Sequence, residues 1–133
     1  GDYVTPLKYS SKTITNTYDS AGRLKTATQA APGSSGRLTT SYAYQDSEDG
    51  GHGVTVTDPA GHTKTVITDI SNGSVLETIG ANGNITSNQY DAAGRLTSKS
   101  YNGKPAITAT YTYPDPNTGS KNSMTVTNLL TGL

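Results

Sequence analysis

The sequence predicts an all-β chain of consecutive antiparallel hairpins, and three observations carry that prediction. Apolar and polar residues alternate with period two. Turn chemistry recurs at short intervals. A seven-residue motif returns almost unchanged. Helical spacing, with apolar residues three and four apart, is nearly absent.

The alternation is clearest in Thr13-Ile14-Thr15-Asn16-Thr17-Tyr18, where Ile14 and Tyr18 share one face and threonines fill the other. The same pattern runs through Gly53–Thr57, Ile107–Tyr113 and Met124–Thr127. Threonine suits such strands, because its branched Cβ fits a pleated surface and its hydroxyl can face water. Between the strands stand Asp19-Ser20-Ala21-Gly22, Asp58-Pro59-Ala60-Gly61, Ser71-Asn72-Gly73, Ala81-Asn82-Gly83, Asp91-Ala92-Ala93-Gly94 and Tyr101-Asn102-Gly103, each a turn signal. Two longer interruptions, Ala30 to Gly36 and Gln45 to Gly53, read as extended hairpin loops.

Composition narrows the class further. The 133 residues suit one structural unit, residues 1–133. Only 31% of residues are hydrophobic, and Phe, Trp and Cys are absent. That is too little for a thick core, while zero net charge, nine tyrosines and many threonines argue against disorder. A thin sheet with polar faces satisfies both limits. Ten basic residues balance ten acidic ones, which removes the electrostatic footprint of a nucleic-acid binder. Without cysteine there is neither a disulfide framework nor a thiolate metal site. No stretch is apolar for long enough to form a spanning helix, and Gly1-Asp2-Tyr3 does not begin a signal peptide, so the chain reads as a segment of a larger protein.

Tyr18-Asp19-Ser20-Ala21-Gly22-Arg23-Leu24 recurs as Tyr90-Asp91-Ala92-Ala93-Gly94-Arg95-Leu96. Looser copies follow at Asp58-Pro59-Ala60-Gly61-His62-Thr63 and Gly80-Ala81-Asn82-Gly83-Asn84-Ile85-Thr86, and Gly36-Arg37-Leu38-Thr39 keeps the second half. The motif describes a strand, a tight turn and the next strand. Asp19 and Asp91 can bond backbone N–H groups two residues on, and Gly22 and Gly94 supply the left-handed residue of a bulge. Tyr18 and Tyr90 sit where a ring covers neighbouring hairpins. Arg23 and Arg95 can lay their stems over those rings, and Leu24 and Leu96 can fill whatever core exists. These ten residues are therefore expected to be structural.

With Thr- and Ser-rich strands between the copies, the Tyr-Asp-x-x-Gly-Arg-Leu pattern resembles the YD-repeat family, also called Rhs repeats, over most of Tyr9 to Thr127. That family is known from bacterial polymorphic toxins, insecticidal toxin complexes and the teneurin adhesion proteins. The resemblance implies a β-strip that spirals into a hollow shell, enclosing a toxic polypeptide in the toxins and supporting adhesion in teneurins. It further implies a secreted or cell-surface location, bacterial in origin, and a role as scaffold or shell segment. The expected partners are neighbouring repeats, a second copy of the chain or an enclosed polypeptide. The autoproteolytic core of the family has no counterpart here, and Asp58-Pro59-Ala60-Gly61 reads as an ordinary repeat turn.

Chemistry beyond the scaffold has few candidates. Asp46, Glu48 and Asp49 form an acidic loop, but the spacing of a calcium loop is missing. His52 and His62 are too few for zinc. No nucleophile and base stand in a readable constellation, so neither an enzyme nor a cofactor is expected. Tyr42, Tyr44, Tyr111 and Tyr113 form same-face pairs that could stack on sugars, which makes a carbohydrate- or receptor-binding module the competing reading.

Overall fold

A computed structural model describes residues 13–33, 35–113, 116–119 and 121–129. Among them are ten strands: β1 (Ile14–Tyr18), β2 (Leu24–Ala30), β3 (Arg37–Asp46), β4 (Gly51–Thr57), β5 (Thr63–Asp69), β6 (Val75–Ile79), β7 (Ile85–Tyr90), β8 (Leu96–Tyr101), β9 (Lys104–Thr112) and β10 (Ser123–Asn128). They form one open antiparallel sheet in the order of the chain, with every strand beside its sequence neighbours. The described residues contain no helix, hence none long and apolar enough to cross a membrane.

Short turns enforce most of this meander, because a connection of two to six residues, as between all successive strands from β1 to β9, leaves the next strand nowhere to go but alongside. At Asp19, the N–H of Gly22 donates back to the Asp19 carbonyl at 3.0 Å, and Gly22 takes φ +80°. The register then shifts between Thr17 and Tyr18, the bulge that an extra left-handed residue creates. Gly94 has φ +81°, and the register shifts likewise between Gln89 and Tyr90.

The stretch Gln45 to Gly53, expected as a long loop, is mostly strand. Gln45 pairs with Gly53 and Asp46 with His52, leaving only Ser47 to Gly50 as the turn. Here Ser47 stands where the turns at Asp19, Asp58 and Asp91 have an aspartate, its Oγ accepting from the Gly51 N–H at 2.9 Å. A hydroxyl is a shorter and weaker turn signal than a carboxylate. The other expected loop remains, closed by the Ala31 N–H donating to the Gly36 carbonyl at 2.9 Å.

Strand alternation gives the strip two unlike faces from β1 to β4, while further on Ile67, Ile79 and Ile85 join the threonine-rich face and Thr68, Thr78 and Thr86 the other. Thr15, Thr17, Thr26, Thr28, Thr39, Ser41, Thr55, Thr57 and Thr65 share one of them, as the register requires. Their hydroxyls bond across strands at 2.6 Å (Thr17 to Thr26), 3.0 Å (Thr28 to Thr39) and 2.8 Å (Thr55 to Thr65). The other face carries Ile14, Tyr42, Tyr44, Val54, Val56, Val66, Tyr111 and Met124. No second layer covers either face among the described residues, and Ala106 and Ala109 are the only buried hydrophobic ones. Most other apolar side chains stay half-exposed. Stability must therefore come from strand pairing and from contacts between adjacent hairpins rather than from a central core.

Candidate functional site: the aspartate, arginine and tyrosine clasps

The two intact motifs build the same structure twice. In the first, Asp19 Oδ1 accepts from the Ala21 and Arg23 N–H groups, both at 2.9 Å, and Oδ2 accepts from Arg23 Nε at 2.8 Å. The carboxylate pins the turn to the arginine that leaves it. The Arg23 guanidinium then lies over the Tyr44 ring, 4.5 Å from its centroid, and the Tyr44 hydroxyl donates to the Leu24 carbonyl at 2.7 Å. In the second, Asp91 Oδ1 accepts from Ala93 (3.0 Å) and Arg95 (2.9 Å), and Oδ2 from Arg95 Nε (2.8 Å). Arg95 covers Tyr111 at 4.3 Å and Tyr113 at 4.6 Å, while the Tyr111 hydroxyl donates to the Leu96 carbonyl at 2.7 Å.

Each clasp thus ties a turn to the strand that follows its exit strand. The arginines were expected over the motif's own tyrosines, Tyr18 and Tyr90. They lie instead over tyrosines one strand further on, because the register continues to set Arg23 opposite Tyr44 and Arg95 opposite Tyr111, whereas Tyr18 and Tyr90 stand across the bulge. Tyr90 has a different task. Its hydroxyl donates to the Val75 carbonyl at 2.6 Å, clasping the turn before it. Tyr44, Tyr90 and Tyr111 obey one rule: each bonds the carbonyl of the first residue of the preceding strand. Tyr18, on the first described strand, is 60% exposed.

Asp58 repeats the turn with histidine in the arginine's place. Its Oδ1 accepts from the Ala60 (2.9 Å) and His62 (2.8 Å) N–H groups, and Oδ2 lies 3.0 Å from His62 Nδ1. His52 pairs with Asp46 across the strands and stacks on Tyr44 with centroids 6.3 Å apart. Asp46 is thereby engaged with His52, and no group of three His, Cys, Asp or Glu among the described residues is placed to hold a metal ion. Of the four aromatic candidates, Tyr44 and Tyr111 are half-buried within clasps, Tyr42 lies opposite Val56, and Tyr113 is 59% exposed. Arg95, Tyr111, Tyr113, Asn122, Ser123 and Met124 line an open groove of about 440 Å³. Tyr44 and Tyr111 are among the aromatic residues that the sequence offers as sugar platforms, and their link to the arginines rests on strand register, which lies outside the motif itself.

The turn carboxyls are held below the usual carboxylate range by the groups they accept from. The Arg23 N–H does this at Asp19, the His62 N–H at Asp58 and the Arg95 N–H at Asp91, while at Asp69 the first cause is the Ser71 hydroxyl. Their folded pKa lies below the unfolded value of 3.8, so the stability they lend is complete above that value and is lost as pH falls through the lowered ones. The sheet is expected to lose stability below about pH 4, read as a falling urea midpoint in far-UV circular dichroism. Changing all four aspartates to asparagine should flatten that acid limb, and an unchanged limb would remove the turns as its cause.

No protein-family model matches the chain, and a search of curated proteins finds no match.

Proposed function

We propose that the chain is a non-catalytic scaffold segment of a secreted or cell-surface YD-repeat protein of bacterial origin, forming part of a shell that encloses or delivers a toxic polypeptide. The supporting observation is the repeated clasp, in which the aspartate and arginine of each intact motif are already engaged in holding the turn and covering a tyrosine of the next strand but one. Asp19 and Asp91 accept from their own turns, and Arg23 and Arg95 bond them and cover tyrosine rings. A one-layer strip with unlike faces suits a wall, because one face can line an interior while the other meets solvent. No cofactor is part of this reading.

The scaffold role is tested in the parent gene and by protection. A further repeat array and a separate C-terminal polypeptide encoded beyond Leu133, resistant to protease in the whole protein, are the expected result. A parent in which that polypeptide is digested freely would reject the shell.

A binding module for glycans or a receptor is the second reading, favoured by the exposed Tyr113 beside its groove. A glycan array separates the two. Absence of binding, or binding indifferent to Tyr44→Ala and Tyr111→Ala, leaves the scaffold standing, whereas binding abolished by Tyr111→Ala in a folded variant favours the module.

A further inference from the structure

We propose that the two outer strands of the described sheet have complementary edges, so that β10 of one copy pairs with β1 of the next in a defined register. This rests on the scaffold reading, in which each edge of a strip is built to be continued; for the 133-residue chain by itself the partner is a second copy, docked head to tail.

Strand parity permits it. Ten strands in a strict meander leave β1 and β10 pointing in opposite directions, and a translated copy therefore continues the antiparallel alternation. Hydrogen-bond polarity permits it as well. The Leu129 N–H donates to the Ala106 carbonyl at 2.6 Å, and since alternate residues of an antiparallel strand face the same neighbour, Ser123, Thr125 and Thr127 turn their backbone groups to β9. Met124 and Val126 turn theirs away from it. At the other end, the Ala31 to Gly36 bond sets Ala27 and Gln29 toward β3 and Thr26 and Thr28 toward β1. Their partners Thr17 and Thr15 face β2, leaving Ile14, Asn16 and Tyr18 with backbone groups toward the open edge.

The tyrosine rule then selects one register from those that parity allows. Tyr44, Tyr90 and Tyr111 each bond the carbonyl of the first residue of the preceding strand. For Tyr18 of an incoming copy that residue is Ser123, which opens β10. This aligns Tyr18 with Asn122, Thr17 with Ser123, Asn16 with Met124, Thr15 with Thr125 and Ile14 with Val126. Hydroxyls then meet hydroxyls on one face. On the other, Ile14 (57% exposed) meets Val126 (54%), and Met124 (62%) lies between the incoming Tyr18 and Ile14. The Tyr18 ring enters the groove edged by Asn122, Ser123 and Met124. The edges thus continue the pattern of the interior strands. Such a contact is heterologous, so repetition gives a filament, or a ring if the rotation closes.

Cysteine crosslinking tests the register, because the chain has no cysteine of its own. Thr15 and Thr125 fall on a non-hydrogen-bonded pair, whose Cα separation of about 4.5 Å suits a disulfide. Mild oxidation of a Thr15→Cys, Thr125→Cys variant is expected to give a ladder of covalent multimers, while Thr15→Cys with Thr127→Cys gives far fewer. Tyr18→Phe should weaken association about three- to tenfold in sedimentation. Dimers from either single cysteine would show like edges pairing and overturn the proposal. So would a monomer at high concentration, whether solvent or the chain's own first twelve residues take the β1 edge. Hydrogen exchange keeps the two readings distinct: protected β2 to β9 amides in such a monomer leave the strip intact and reject only the docking.

Discussion

Replacing Gly53 by valine is expected to destabilise the sheet by about 3 kcal/mol, lowering the urea midpoint without changing the slope of the transition. Gly53 lies in β4 opposite Gln45, and a Cβ built there would stand 2.9 Å from the Gln45 backbone carbonyl. A backbone atom in a paired strand cannot swing aside, so β3 and β4 must part. At Gly22 the situation differs, since a Cβ would meet nothing within 4 Å and only the positive φ resists it. Gly22→Ala should therefore cost about 1–2 kcal/mol, the usual penalty of a left-handed conformation for a residue with a side chain. Equal stability of Gly53→Val and the unaltered chain would mean that β3 and β4 do not pair in this register.

Tyr111→Ala is expected to cost about 2 kcal/mol, and Tyr111→Phe about half of that. The phenylalanine variant loses only the hydroxyl bond to the Leu96 carbonyl, worth about 1 kcal/mol. Alanine also removes the half-buried ring over which Arg95 lies. Tyr101, exposed at the end of β8, is the control, and its alanine variant should stay within about 0.5 kcal/mol of the parent. Thermal and urea unfolding of the three variants measure the series. Should Tyr101→Ala prove as damaging as Tyr111→Ala, the clasp would not be what joins the hairpins. The series also supports the glycan test, because it shows whether Tyr111→Ala remains folded when assayed for binding.

Much of this architecture was legible in the chain, for local reasons. Period-two alternation located strands such as Ile14–Tyr18, and Asp-x-x-Gly identified the turns at Asp19, Asp58 and Asp91, because the side chain and backbone that make such a turn lie within five residues. Ser47 is a fainter signal, as a single hydroxyl oxygen holds its turn where Asp19 uses two carboxylate oxygens. The clasps were legible only in part. Tyr44 and Tyr111 stood out as aromatic, but their pairing with Arg23 and Arg95 depends on where each strand begins to count after a bulge. One residue of slip would carry each tyrosine to the opposite face.

The strict succession of strands bears on how the protein comes to be folded. Among the described residues every strand is paired only with its neighbours in sequence, so none of these strands must wait for a distant one. Contact order is low for a β protein, and the entropic cost of closing long loops hardly arises. Hairpins can zip one after another as the chain emerges from a ribosome or a narrow pore, and can unzip from either end in reverse. A polypeptide of this kind could be threaded as an extended strand and recover its sheet on the far side, without any step that requires the whole chain at once.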